Sequence, residues 1–199
     1  MRRRTFDALA TAAGLVVAIV LVIAGVLLVW GHSYANNQVS SQLSAQKIVF
    51  PTTTSPEFKI LPAANRAQMA KYAGQPMTTG AQAETYANYF IGRHLVLIGG
   101  GKTYSQLSAE SLAAPNNVAL AGQVQTVFRG TTLRSMLLEA YGFWQFGQIA
   151  LIAAIASLIG AALMLMLSVL GFVHLRRTAP EAEVLPKIAT RVQVQASTS

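Results

Sequence analysis

Residues 2–30 read RRRTFDALATAAGLVVAIVLVIAGVLLVW, and this stretch decides the fold. Three arginines and Asp7 precede a run from Ala8 to Trp30 that carries no charge. At about 1.5 Å of rise per residue, a helix of this length reaches roughly 35 Å, enough to cross a hydrocarbon core of about 30 Å. A second stretch, Ala140 to Leu175, holds no Asp, Glu, Lys or Arg, and Arg176 and Arg177 follow it directly. Its most apolar part, 149–173, is again long enough to span. By the positive-inside rule, Arg2, Arg3, Arg4, Arg176 and Arg177 are topology determinants that hold both termini in the cytoplasm. The reading is an all-α, multi-pass plasma-membrane protein. A basic N-terminus occupies 1–7, a first span 8–30, an extracytoplasmic helical domain 31–143, a second span 144–175 and a cytoplasmic tail 176–199.

Composition agrees. Of 199 residues, 53% are hydrophobic and 11% charged, whereas a soluble domain carries about 25% charged residues. The absence of Cys excludes a disulfide framework, a Cys-ligated zinc or iron–sulfur centre and a thiol nucleophile. The net charge of +8 does not point to nucleic acid, because the arginine clusters flanking the spans are explained by topology and the anionic inner leaflet. The segment 31–143 is itself net basic, but long translocated segments escape the charge rule. Trp30 at one end and Tyr141, Phe143 and Trp144 at the other suit an interfacial aromatic belt. Ser33-Tyr34-Ala35 offers a small-x-small cleavage pattern. Signal h-regions run only about 7–15 residues, so a retained span is expected, and a mature chain starting near residue 36 would overturn it.

Between the spans the pattern is helical throughout. Val39 and Leu43 stand four apart, which extends the first helix to about Lys47. Pro51, Thr52–Thr54 and Pro56 then force an extended or turning segment. A short helix is predicted from about Pro62 to Ala73, with Gly74 at its C′ position. Thr79-x-x-Gln82 and Thr103-x-x-Gln106 both have capping-box spacing. The helix opened by Thr79 would place Ala83, Tyr86, Phe90 and Leu97 on one face and end at Gly99-Gly100-Gly101. The helix opened by Thr103 would cover Leu107 and Leu112. Beyond Pro115-Asn116-Asn117, a row of Val118, Ala121, Val124 and Phe128 begins a long helix over about 117–174, bent near Gly130. The tail from Thr178 reads as disordered.

Residues able to carry chemistry are few. His32, His94 and His174 form no H-x-H or H-x-x-x-H pair, and the topology separates His32 from His174 by a whole span, against a metal centre. Gly99-Gly100-Gly101-Lys102-Thr103 resembles the end of a phosphate loop, but Val96 stands where the first glycine is required, so it reads as a helix connector. No carboxylate pair and no G-x-S-x-G elbow occurs. Neither 8–30 nor 149–173 holds an ionisable residue of the kind an ion path needs. Gly14, Ala18 and Gly25 in the first span, and Ala153, Ser157, Gly160 and Ala161 in the second, make small-residue steps for helix packing. Arg129 and Arg134 flank a helix close to the membrane and are candidates for lipid head-group contact.

Four segments, residues 1–31, YAGQPMTTGAQAETYANYFIGRHL (72–95), QVQTVFRGTTLRSMLLEAYGFWQFGQIALIAAI (123–155) and LGFVHLRR (170–177), resemble a family of small two-span membrane proteins from actinobacteria. The resemblance implies a place in the cell envelope and transfers no functional residue. Similar proteins sometimes carry the label aromatic ring-opening dioxygenase, which no metal triad in this chain matches. The sequence leads to the expectation of a non-enzymatic, cofactor-free accessory or scaffolding subunit of a cell-envelope membrane complex. It would be held in the lipid bilayer with other integral membrane proteins or copies of itself. The alternative is an extracytoplasmic lipid- or small-ligand-sensing module with a pocket lined by Tyr86, Phe90 and Leu97.

Overall fold

A computed structural model describes residues 3–177. Arg2, the side chains of Arg3 and Arg4, and the tail from Thr178 lie outside the described residues. About 83% of the described residues are helical, and they form no strand. The elements are α1 (Arg3–Ala45), α2 (Pro56–Lys59), α3 (Ala63–Met69), α4 (Gly80–Thr85), α5 (Gly92–Ile98), α6 (Tyr104–Ala113) and α7 (Val118–Arg177). A 3₁₀ turn, Ala70–Tyr72, follows α3, and a π-helical segment, Tyr86–Ile91, joins α4 to α5. α1 and α7 are both long and apolar enough to cross a membrane, with mean hydropathies of 3.1 and 2.6 over their most apolar windows. Only 11% of each window is buried, as expected of a surface whose solvent is lipid rather than protein.

The chain divides into two compact units, Met1–Leu27 with Ala154–Ser199, and Leu28–Ala153. In the first, two apolar helices close on a seam of small residues. Ala18, Ala154 and Ala161 are fully or almost fully buried. A Cβ at Gly14 would come within 2.7 Å of Ser168 Oγ, one at Gly25 within 2.7 Å of Leu158 Cδ2, and one at Gly160 within 3.4 Å of Leu21 Cδ1. The Ser157 hydroxyl donates to the Leu21 carbonyl at 2.8 Å. Small side chains let the backbones approach, and the Ser157 hydroxyl is met by a carbonyl, whereas Ser168 Oγ is buried with no hydrogen-bond partner among the described residues. The packing steps read from the sequence therefore face each other within the chain, except Ala153, which is exposed beside the buried Ala154. Arg176 and Arg177 close α7, where cations offset the negative end of the helix dipole, and the Arg176 guanidinium lies 4.5 Å from the Phe172 ring centre.

The second unit has an apolar core that includes Val39, Leu43, Phe50, Leu61, Met69, Met77, Ala87, Ile91 and Leu137. α1 supplies the row Ala35, Val39 and Leu43 and ends at Ala45, two residues short of the predicted Lys47, which takes a left-handed φ of 52°. Residues 48–50 then run beside 74–77: Phe50 N–H donates to Gln75 O (2.9 Å), and Met77 N–H donates to Ile48 O (2.9 Å). The Pro-rich stretch contains one helical turn that the sequence reading passed over. Ser55 caps α2, and Pro56 stands at its first position, both ordinary start signals. The two predicted capping boxes are present at Thr79/Gln82 and Thr103/Gln106.

Two local expectations are corrected. The helix opened by Thr79 does not keep an α register. The π segment inserts one residue, so the face turns after residue 90. Ile91 and Gly99 are buried and Leu95 packs on the core, while Leu97 is 48% exposed. Gly130 does not interrupt α7, which stays helical through it. The glycine instead receives Leu95, whose Cδ2 lies 2.7 Å from where a Cβ would stand. That crossing also sets which row of α7 faces inward: Val127 and Leu137 are buried, and Val118 and Phe128 are exposed.

Candidate functional site

Two concavities lie within the second unit. The first is an open groove of about 840 Å³ between the α1 and α7 portions of that unit. Its floor is apolar, with Val39, Leu43 and Leu137 buried, and its rim carries exposed Tyr34, Met136, Phe143 and Phe146. Gln38 and Gln42 of α1 and Gln46, just past its end, stand at four-residue spacing along one wall, and Glu139 lines the groove from α7. Gly142 also lines it, and a Cβ there would meet nothing within 4 Å.

The second is a cleft of about 650 Å³ bounded by α5, the loop after it, the start of α6 and α7. Three cations line it: Arg93 from α5, Lys102 from the glycine loop and Arg134 from α7. Arg134 is held from behind, donating from Nε to Ala87 O (3.2 Å) and from Nη2 to Asn88 Oδ1 (2.9 Å). Asn88 donates in turn to Glu84 Oε1 at 2.7 Å, and Asn65 donates to Tyr89 O at 2.8 Å. The backbone carbonyls of the π segment, which an α register would bury inside one helix, are thus met by side chains from α7 and α3. Gly92 makes room for this arrangement, since a Cβ there would sit 3.3 Å from Ala87 O and 3.5 Å from Arg134 Nε. Lys102 is paired on its outer side with Glu110, 2.7 Å away and about half exposed, a geometry that contributes little to stability. Arg93 Nε is buried and has no hydrogen-bond partner among the described residues. A buried donor left unmet costs roughly 1–3 kcal/mol, and more when it is charged.

Replacing Arg134 by Met is expected to lower the stability of this unit by about 2 kcal/mol, because Asn88 Oδ1 loses a charge-assisted donor. Hydrogen exchange at Gly92 and Arg93 should accelerate at the same time. Unchanged exchange there would mean that Arg134 does not hold the π segment.

The other residues singled out in the sequence are tied to local structure. His32 Nδ1 donates to Gly147 O (2.9 Å), and His94 Nδ1 donates to Phe90 O (2.8 Å) while its ring lies 4.4 Å from that of Phe90. In the first unit, His174 Nε2 stands 3.8 Å from Asp7 Oδ2. No three His, Asp or Glu side chains among the described residues group to hold a metal ion. Backbone hydrogen bonding at the start of α2, aided by the Ser55 hydroxyl, holds the Glu57 carboxyl below the usual carboxylate range. Burial raises the Tyr86 phenol above its ordinary value. Arg129 is exposed on α7, whereas Arg134 turns into the cleft. Trp144 packs against the core of the second unit, and Trp30 is 67% exposed.

The sequence reading noticed Gly99–Thr103 but not its neighbours in space. Arg93, Lys102 and Arg134 lie on three elements, and nothing in their spacing announces that they meet. Comparison with known protein families, curated proteins and solved structures returns no match to this chain.

Proposed function

We propose that this chain is a non-enzymatic accessory or scaffolding subunit of a bacterial cell-envelope membrane complex. In this reading both termini are cytoplasmic, and the segment 31–143 is extracytoplasmic and supplies the contact surface. The observation that supports it is the α1–α7 groove, with its buried aliphatic floor, exposed aromatic rim and ladder of Gln38, Gln42 and Gln46. The occupant that fits is a helix of another integral membrane protein. Apolar side chains of such a helix would fill the floor, and its polar groups would hydrogen-bond across to the glutamines. An acyl chain would leave that ladder unused. The small residues of the two spans are spent on their own seam, which directs partner contact to this groove.

Gly142→Leu tests the reading, because Gly142 lines the groove and a Cβ there meets nothing within 4 Å, so the position has room for a side chain. The helix should be unharmed or slightly favoured, since Leu is a better helix former than Gly by up to about 1 kcal/mol. Native mass spectrometry after mild detergent extraction is expected to show wild type in a complex of fixed stoichiometry with one membrane protein. The variant should lose that complex by about tenfold at equal membrane abundance, the equivalent of about 1.4 kcal/mol. A complex unaffected by Gly142→Leu would sink the groove as the contact. Recovery of wild type alone would sink the accessory reading itself.

A further inference from the structure

We infer that the cleft formed by Arg93, Lys102 and Arg134 binds a phosphate group, carried either by a phospholipid headgroup or by a soluble phosphate ester. This goes beyond the accessory role and does not depend on it. The three cations come from α5, the loop after it and α7, and they line one cavity. The acids near them are already engaged: Glu110 with Lys102 on the exposed side, and Glu84 with Asn88. Glu110 offsets Lys102, so the positive charge left without an acidic partner in the cleft is that of Arg93 and Arg134, and low-dielectric walls concentrate its field.

The geometry is that of a prepared anion site. Arg134 is locked by Ala87 O and Asn88 Oδ1 through Nε and Nη2, which leaves Nη1 outside those bonds. Arg93 is the decisive residue, since its Nε is buried in the wall with no acceptor. That desolvated, unmet donor leaves the Arg93 charge unneutralised, which favours an anion in the cleft that Arg93 lines. Thr103, Tyr104 and Ser105 line the same cleft at the start of α6, where the positive end of a ten-residue helix adds to the attraction. A single carboxylate would satisfy one arginine. A tetrahedral phosphate, with more acceptor oxygens than a carboxylate, can accept from donors on several sides of the cleft. The cleft does not depend on the phosphate-loop motif that the glycine run lacks, because its charges converge from separate elements.

The test uses the full chain in nanodiscs. In phosphatidylcholine discs, calorimetry with inorganic phosphate probes the soluble source. In discs containing phosphatidylglycerol, native mass spectrometry probes the lipid source by counting retained lipid. Saturable binding of either probe is expected, weakened at least about tenfold by Arg93→Gln and by Lys102→Gln. Arg129→Gln, on an exposed position of α7 outside the cleft, should leave it unchanged. Phosphate binding in phosphatidylcholine would assign a soluble ester, and phosphatidylglycerol retention alone would assign a headgroup. Binding of neither probe would overturn the inference, as would binding that ignores Arg93 and Lys102 or falls equally with Arg129→Gln. Circular dichroism checks each variant's fold, and the exposed Lys102→Gln decides if Arg93→Gln misfolds.

Discussion

Phe50→Ala is expected to destabilise the second unit by about 3–5 kcal/mol, the cost of removing a buried phenyl ring whose surroundings cannot close on the cavity. Phe50 is 1% exposed. Its ring lies 5.4 Å from that of Tyr72 and 5.3 Å from that of Tyr86 in an edge-on contact. Its backbone is fixed on both sides, with N–H to Gln75 O and the carbonyl accepting from Gly74 N–H, so the chain cannot slide to refill the space. The measurement is denaturant unfolding followed by Trp144 fluorescence in a Trp30→Phe background, since the chain has only two tryptophans. A loss below about 1 kcal/mol, the size seen for a surface change, would show that the 48–50 segment is not part of the core.

The same variant has a titration signature. Burial raises the Tyr86 phenol, so the folded unit favours the neutral form. That contribution is fully present below the unfolded Tyr value of about 10 and is lost as the pH climbs through the raised folded value. With Phe50 gone, water reaches Tyr86, its titration moves back toward about 10, and the extra alkaline sensitivity of the wild type shrinks. Tyrosinate absorbance during a pH titration reads this directly.

Much of the fold was legible because its signals are local. Charge-free runs of spanning length, two capping boxes, and Gly74 and Gly99–Gly101 at helix ends each depend on residues within a turn or two. All correspond to elements described here. What escaped the sequence was set by tertiary contact. The π segment has its carbonyls met by Arg134 from α7 and Asn65 from α3, at 3.2 and 2.8 Å, and neither residue is near it in sequence. The segment carries the inward face onto Ile91, and beyond it the α-helical spacing no longer holds, so Leu97 turns outward. Gly130 looked like a bend because helix propensity treats glycine as a weakness. In the structure it is the socket for Leu95. The basic cleft was illegible for the same reason. Arg93 and Arg134 are 41 positions apart, and their meeting is a consequence of the π turn and the Leu95–Gly130 crossing rather than of any motif.

Gly80→Val tests the packing logic most severely among the glycines. A Cβ at Gly80 would fall on Trp144 Cβ and within 2.6 Å of its Cγ. The Trp144 Cβ is bonded directly to the α7 backbone and Cγ to Cβ, so neither can swing aside as the end of a leucine can. α4 must therefore move, taking with it the Thr79–Gln82 capping box and the buried Gln82, which accepts from Thr78 N–H at 2.7 Å and Thr79 N–H at 3.0 Å. The expected loss is about 3 kcal/mol, at the upper end for overpacking, together with a change in Trp144 emission. Gly142→Ala is the control, since its Cβ meets open space and should be neutral or raise stability by up to about 1 kcal/mol through helix propensity alone. Trp144→Ala should not rescue Gly80→Val, because the colliding Cβ remains, and rescue by it would place the contact farther out on the indole. Equal stability of Gly80→Val and wild type would mean that α4 does not rest on α7, and the positions of the π segment and of the cleft beside it would fall with that contact.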